Sequence, residues 1–121
     1  MAELRSILIV DDSRFSQALI ENLILEKHPD WMVEKAAHGE DALAKAATSD
    51  FDLITIDYNM PGMNGIELVE KLRQAGCQAR LILLTANVQE SMSQRAHSLD
   101  IGFVKKPITP ESMAQVLTYL E

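Results

Sequence analysis

The sequence predicts a doubly wound α/β domain, in which a parallel sheet carries helices on both faces. Three short apolar runs, interrupted only by Thr55, are typical of strands buried on both sides: residues 7–10, 53–56 and 81–84. Helical spacing of apolar residues lies between the runs, so strand and helix alternate along the chain. The chain has 121 residues, of which 47% are apolar, as expected for one globular domain spanning residues 1–121.

Two further strands are predicted from segments of mixed composition, residues 32–36 and 103–105. Mixed composition suits strands at the edges of a sheet, where one side stays wet. The three apolar strands then occupy the centre, and right-handed crossovers join strands that are parallel. Strand order 2-1-3-4-5, the flavodoxin-like (βα)5 arrangement, satisfies these conditions.

The helices are predicted from apolar residues that recur every three or four positions. In the first, second, third and fifth helices these are Phe15, Leu19 and Leu23, with Ile20 and Ile24 alongside; Leu43 and Ala46; Leu68, Val69 and Leu72; and Met113, Val116, Leu117 and Leu120. The fifth helix begins with Thr109 as N-cap, Pro110 at the first helical position and Glu111 in the first turn. Residues 88–99 have only a thin apolar line, which predicts a fourth helix with a weak hold on the core.

Composition and charge exclude several classes of protein. One cysteine, Cys77, permits neither an internal disulfide nor a multi-cysteine zinc site. No signal peptide and no run of 18 apolar residues is present, which predicts a cytoplasmic protein without a membrane span. With 18 acidic and 11 basic residues the net charge is −7, which argues against direct contact with nucleic acid.

Chemically active side chains follow four of the predicted strands. Asp11 and Asp12 follow the first strand, Asp57 the third, Thr85 the fourth and Lys106 the fifth. Because ligands of open parallel sheets bind beyond the carboxyl ends of the strands, we expect these side chains to converge. Like-charged carboxylates raise the pKa of at least one partner unless a cation intervenes, and an oxygen-only ligand set suits Mg²⁺.

A hydroxyl and an ammonium beside Mg²⁺ form a set suited to neutralising a phosphoryl group. Asp57 is the candidate nucleophile, because it follows a buried strand directly and aspartate forms acyl phosphates. Each residue also has a simpler interpretation when taken alone. Residues 11–13 can cap the first helix, Asp57 can belong to a turn, Thr85 can bond local backbone and Lys106 can be solvated. Their joint placement at four strand ends favours a site.

Four separated motifs resemble the receiver domain of bacterial two-component response regulators, and most nearly the stand-alone CheY-like type. The motifs are Asp11-Asp12, Asp57-Tyr58-Asn59-Met60-Pro61-Gly62-Met63-Asn64-Gly65, Thr85-Ala86 and Lys106-Pro107. They occur in the family's order and with matching spacing over essentially the whole chain. The stand-alone type is expected because nothing follows the final predicted helix.

The resemblance implies a metal site and a phosphoacceptor. Asp57 is then the acceptor, and Asp12 and Asp57 bind Mg²⁺ directly together with the backbone carbonyl of Asn59. Asp11 acts on the ion through water. The family also implies a cis peptide bond between Lys106 and Pro107, which an X-Pro bond permits at modest cost.

The resemblance further implies a switch. The Thr85 hydroxyl and the Lys106 ammonium contact the phosphoryl oxygens, and Lys106 pairs with the acceptor carboxylate before phosphorylation. Inward movement of Thr85 vacates space that Phe103 fills, although Phe103 lacks the hydroxyl of the tyrosine often found at this position. Asn59 and Asn87 flank the path of the water that hydrolyses the acyl phosphate.

A receiver domain is a signalling switch and not an enzyme, beyond catalysing its own phosphorylation and dephosphorylation. The phosphodonor implied is a histidine kinase or a histidine phosphotransfer protein. The output is binding of a downstream protein through the face formed by the fourth predicted helix, the fifth strand and the fifth predicted helix. The chain is then a monomer or a phosphorylation-dependent dimer.

Three alternatives share parts of this pattern. A small Mg²⁺-dependent phosphotransferase or phosphatase with an aspartyl-phosphate intermediate usually has an Asp-x-Asp pair and a covering cap, whereas Asp11 and Asp12 are adjacent. A flavodoxin-type redox carrier needs a phosphate loop after the first strand, where these two acids would repel a cofactor phosphate. A receiver-shaped scaffold that takes no phosphate is disfavoured by the complete set of acids, hydroxyl and lysine.

Overall fold

A computed structural model describes residues 4–86, 99 and 101–120, which form a parallel sheet flanked by helices. The elements are β1 Ser6–Val10, α1 Arg14–Lys27, β2 Met32–Ala36, α2 Gly39–Thr48, β3 Leu53–Asp57, α3 Gly65–Gln74, β4 Arg80–Thr85, β5 Gly102–Lys105, α4 Pro110–Leu117 and a 3₁₀ turn Thr118–Leu120. Helix α4 is the fifth predicted helix. The fourth, over residues 88–99, lies outside the described residues except for Leu99. Within the described ranges no helix has the length and apolar character that a membrane crossing needs.

The sheet has five strands in the order β2-β1-β3-β4-β5, and every neighbouring pair is parallel. The predicted doubly wound fold and its strand order are therefore confirmed. β3 is buried along its whole length, whereas β2 contains exposed and half-buried residues. The strands with continuous apolar runs thus lie inside the sheet, as their composition predicts.

Alternation of side chains along the strands divides the interior into two apolar clusters. One cluster joins the sheet to α1 and α4 and includes Ile7, Ile9, Ile20, Ile24, Met113, Val116 and Leu117. The other joins the opposite face to α2 and α3 and includes Leu8, Val10, Ala42, Ile54, Ile56, Leu68, Val69 and Leu72. The apolar stripe predicted for the third helix is buried, as is that of the fifth except for Leu120, which lies in the 3₁₀ turn and is partly buried.

Of the apolar residues predicted for the first helix, Ile20 and Ile24 are buried as expected, and Phe15 is not. Phe15 is 78% exposed and Leu19 is only half-buried, whereas the fully buried apolar residues of α1 are Ile20 and Ile24. Two adjacent stripes with a spacing of four fit this segment, and the helix turns the second one toward the sheet. The rotation leaves an aromatic ring in solvent at the start of α1.

Side-chain caps fix where the helices begin. The Ser13 hydroxyl caps α1 by accepting from the Ser16 N–H at 3.2 Å. At α4 the predicted start is confirmed, with Thr109 as N-cap and Pro110 at the first position. Because Ser13 supplies this cap, the two aspartates that precede it are available for other contacts.

Candidate functional site

The end of the sheet where β1 and β3 finish carries two buried carboxylates. Asp11 lies two residues beyond Ile9, and Asp57 lies two residues beyond Thr55; Ile9 and Thr55 are partners in the β1–β3 register. Because side chains alternate along strands, this register brings both carboxylates to one side of the same edge. The third acid, Asp12, follows directly after Asp11.

The three aspartates form one cluster. One carboxylate oxygen from each of Asp11, Asp12 and Asp57 lies within 4.8 Å of the others. Asp11 and Asp57 are 1% and 5% exposed, and Asp12 is exposed. Two of the three carboxylates are therefore buried, and the third is in contact with solvent.

Asp11 has the most unusual environment of the three. Its Oδ1 accepts a hydrogen bond from the Ser13 N–H at 2.8 Å, whereas its buried Oδ2 has no hydrogen-bond partner in the described part of the chain. Burial raises the pKa of Asp11 above its ordinary value, against the lowering effect of the Ser13 N–H; Asp57 and Asp12 add to the rise and Lys106 opposes it. A buried carboxylate oxygen without a donor, among like charges, fits a hard divalent cation.

Lys106 links the acid cluster to β4 and β5. Its Nζ donates to Asp57 Oδ1 at 2.9 Å, and the side chain of Lys106 is 24% exposed. Its backbone N–H donates to the Thr85 carbonyl at 2.8 Å, which ties the residue after β5 to the end of β4. The peptide bond between Lys106 and Pro107 is cis, as expected.

The two residues predicted to form the switch lie on the same face of the sheet. Thr85 is buried at the end of β4, two residues beyond Leu83. Leu83 is the register partner of Phe103 in β5, and Phe103 is partly buried against the cluster under α2 and α3. Since residues two apart on a strand share a face, Thr85 and Phe103 face the same layer.

The loop between β3 and α3 begins at the candidate acceptor. Asn59 is exposed in this loop, and the Gly65 N–H donates to the Tyr58 carbonyl at 3.0 Å. A Cβ added to Gly65 would lie 3.0 Å from the carbonyl oxygen of Asp57, so a glycine lets α3 begin close to the end of β3. Asn87, the other residue predicted on the water path, lies outside the described residues.

Sequence reasoning missed one residue beside the cluster, Gln17 on α1. Its Nε2 donates to the backbone carbonyls of Asp11 and Ala36, at 2.7 and 3.3 Å. The signal was available, because Gln17, Ile20 and Ile24 share one helical face with a spacing of three and four. A lone amide on the buried face of a helix needs hydrogen-bond partners, and the strand ends supply them.

Together, the fold and the site define a class of protein: a parallel α/β domain in which a cluster of three carboxylates at the strand ends lies against Lys106. The family model described as the response regulator receiver domain matches residues 7–118. The chain belongs to this family, whose members are phosphoacceptor switches in signalling.

Individual relatives agree with the family. The chemotaxis protein CheY of Bacillus subtilis is 34% identical over 114 residues, which cover 92% of this chain and 92% of that protein. The nitrate/nitrite response regulator NarL of Escherichia coli K12 is 31% identical over 113 residues, which cover 93% of this chain and 52% of that protein. The chain thus spans about half the length of NarL. The structure of the chemotaxis protein CheY4 of Vibrio cholerae superposes with a TM-score of 0.87 at 30% identity, covering 98% of this chain and 100% of that one.

Proposed function

We propose that this chain is a phosphoacceptor signalling switch in which Asp57 receives a phosphoryl group with the help of Mg²⁺. The observation that carries the proposal is the contact between Lys106 Nζ and Asp57 Oδ1 at 2.9 Å, inside a cluster of three carboxylates. A cation paired with the acceptor oxygen, next to acids that attract a second cation, is the arrangement that phosphoryl transfer requires.

Asp57 is the best placed of the three acids to act as nucleophile. It ends the fully buried strand β3, and Lys106 holds one of its oxygens in place. Asp12 is exposed to water, and Asp11 has one oxygen bonded to the Ser13 N–H. Pre-orientation of a buried carboxylate lowers the entropic cost of reaching the reactive geometry.

The cluster fits Mg²⁺, which we assign to Asp12, Asp57 and the backbone carbonyl of Asn59 as direct ligands, with Asp11 acting on the ion through a bound water. All four groups offer oxygen atoms, and the buried Oδ2 of Asp11 gains a hydrogen-bond donor when the hydrated cation is present. When bound, Mg²⁺ supplies positive charge that offsets repulsion between the acids and the incoming phosphoryl oxygens.

In the transfer step, an Asp57 carboxylate oxygen forms a bond to phosphorus as the phosphorus–nitrogen bond of a phosphohistidine breaks. The electron pair of the broken bond stays on the imidazole nitrogen of the donor. Lys106 then moves from the carboxylate to a phosphoryl oxygen, and the Thr85 hydroxyl donates to another. Asn59 and Asn87 border the path of the water that later hydrolyses the acyl phosphate.

The output of this step is a change of protein binding. Thr85 and Phe103 share a face of the sheet, so movement of Thr85 toward the phosphoryl group opens space beside Phe103. We assign the output surface to residues 88–99, β5 and α4, and the partner to a downstream protein, not to nucleic acid or a membrane. The chain then acts in the cytoplasm as a monomer or a phosphorylation-dependent dimer, with one domain over residues 1–121.

The phosphodonor, a histidine kinase or a histidine phosphotransfer protein, is proposed to contact the start of α1. An apolar recess there is lined by Phe15, Leu19, Pro107 and Ile108, and it continues to Lys106. Phe15 is 78% exposed, and an exposed aromatic side chain at the rim of a reaction site favours a protein partner.

Phosphorylation by acetyl phosphate with Mg²⁺, followed by intact-protein mass spectrometry, tests the proposal. We expect one added phosphoryl group on the unmodified chain and none on Asp57→Asn, with the fold of the variant intact by circular dichroism. A phosphoryl group on Asp57→Asn would refute the assignment of the acceptor. Many turnovers of phosphate release from a phosphomonoester would instead support the phosphatase alternative.

A further inference from the structure

We propose that Gln17 is a positioning residue for the two aspartates that follow β1, acting through the peptide bond that joins them. The inference rests on the proposed function, because it adds Gln17 to the groups that hold the metal-binding carboxylates in place. The hydrogen bonds that carry it are made to the backbone and not to a carboxylate.

The amide of Gln17 is held between two strand ends. Its Nε2 donates to the Asp11 carbonyl at 2.7 Å and to the Ala36 carbonyl at 3.3 Å, and both bonds are buried. Since a carbonyl oxygen only accepts, the nitrogen of the amide and not its oxygen must face the two carbonyls. Gln17 itself is 9% exposed, so water competes little for these bonds.

The Asp11 carbonyl belongs to the peptide group that links Asp11 to Asp12. Because a peptide group is planar, fixing its carbonyl also fixes the line from the Asp11 Cα to the Asp12 Cα. The Asp11 N–H donates to the Ala36 carbonyl at 3.0 Å, and the Asp11 Oδ1 accepts from Ser13. Asp11 is thus held at its N–H, its C=O and one carboxylate oxygen, while its Oδ2 has no hydrogen-bond partner among the described residues.

Loss of the Gln17 donor leaves the buried Asp11 carbonyl without this partner. The carbonyl then turns toward another donor, which rotates the peptide plane and moves both carboxylates relative to Asp57. If Gln17 has only a structural role, its replacement lowers the stability of the fold and leaves the Mg²⁺ affinity unchanged. A positioning glutamine weakens Mg²⁺ binding more than a stability-matched change elsewhere on α1, because groups that orient ligands typically affect metal affinity.

The test compares Gln17→Met with a control on the same helix, Ile24→Val. Methionine keeps the length of the side chain and lacks the donor, while Ile24 is buried in the apolar cluster and is not among the site residues. Isothermal titration calorimetry measures the Mg²⁺ dissociation constant, and denaturant melts measure stability. We expect Gln17→Met to weaken Mg²⁺ binding about tenfold, with Ile24→Val like the unmodified chain. At saturating Mg²⁺, phosphate uptake by Gln17→Met should recover.

Equal Mg²⁺ dissociation constants for Gln17→Met and the unmodified chain would overturn the inference. A measurement on the unmodified chain covers the case in which the variant does not fold. The side-chain amide protons of Gln17 should exchange slowly in NMR spectra and shift when Mg²⁺ is added. Absence of that shift would also overturn it.

Failure of the proposed function gives a different result. A chain that binds no Mg²⁺ and takes up no phosphoryl group refutes both proposals together. A chain that is phosphorylated on Asp57, with Mg²⁺ affinity indifferent to Gln17→Met, refutes the positioning role alone.

Discussion

Lys106 donates hydrogen bonds to the ends of two central strands. Its ammonium donates to Asp57 Oδ1 of β3 at 2.9 Å, and its backbone N–H donates to the Thr85 carbonyl of β4 at 2.8 Å. The lysine that pairs with the candidate acceptor is therefore fixed to the strand that carries the candidate switch residue. The ammonium group can therefore move while the backbone N–H of Lys106 stays hydrogen-bonded to Thr85.

Lys106→Met should destabilise the fold in the absence of Mg²⁺. The buried Asp57 carboxylate then loses its partner while Asp11 remains nearby, which we expect to lower the free energy of unfolding by about 1–3 kcal/mol. Urea denaturation with and without Mg²⁺ measures the effect, and the ion should restore part of the loss. The control is Lys105→Met, because Lys105 is exposed and adjacent in sequence. Equal losses in both variants would contradict a specific role for the pair.

Asp11→Asn should stabilise the fold without Mg²⁺ at neutral pH. The pKa of Asp11 is raised chiefly by burial, so the folded state binds more protons than the unfolded state between the ordinary and the raised pKa. Stability due to this group is therefore lost as the pH rises through the folded pKa. The gain from Asp11→Asn should be present at pH 7 and absent below the ordinary value of 3.8.

Denaturant melts at the two pH values check this prediction, and addition of Mg²⁺ should reverse the order of the two proteins at pH 7. The ion needs the ionised carboxylate, so its affinity for the unmodified chain should fall as the pH drops through the raised pKa of Asp11. If the variant is less stable than the unmodified chain at pH 7 without Mg²⁺, the surrounding protein already stabilises the ionised carboxylate, which contradicts the prediction.

Thr55→Val should stabilise the protein by about 1 kcal/mol. The Thr55 hydroxyl is fully buried in β3 and has no hydrogen-bond partner in the described part of the chain. Valine has nearly the same shape and removes the unpaired polar group. Thermal denaturation measures the change, and Thr48→Val at the exposed end of α2 is the control, where we expect an effect within about 0.5 kcal/mol. A destabilised Thr55→Val would mean that the hydroxyl has a bonded water.

Phe15→Ala should slow phosphotransfer from a histidine phosphotransfer protein and leave phosphorylation by acetyl phosphate unchanged. Removing an exposed aromatic anchor from a protein interface costs about 2 kcal/mol of binding, equivalent to a roughly thirtyfold weaker complex. Met32→Ala is the matched control, because Met32 is 66% exposed on the edge strand β2. If both variants receive phosphate from the protein donor at the normal rate, the donor binds elsewhere.

The sheet and the place of the site could be predicted from the sequence because both depend on order along the chain. Short apolar runs identify central strands, and residues at the carboxyl ends of parallel strands meet at one edge whatever their separation in sequence. On this basis alone, the sequence predicts that Asp11 and Asp57 lie close together, although they are 46 residues apart. The side-chain pairing of Asp57 with Lys106 was predicted from the resemblance.

Details that depend on the rotation of a helix could not be predicted. Two stripes compete on α1, and only packing against the sheet decides that Ile20 and Ile24 turn inward while Phe15 faces solvent. The same rotation buries Gln17 at the strand ends, and so its contacts were missed. The Thr55 hydroxyl, which has no hydrogen-bond partner among the described residues, is likewise a consequence of packing, because a threonine in an apolar run does not indicate its partners.

The acid cluster combines residues that end β1 and β3, and its lysine follows β5, so the site forms only when the non-consecutive strands of the sheet have assembled. A partly folded chain has the same aspartates and lacks the arrangement that places them together beside Lys106. Ions that bind only the assembled pocket also favour the native chain by mass action. Under the proposed function, only the fully folded chain can accept a phosphoryl group, so misfolded copies do not generate a signal.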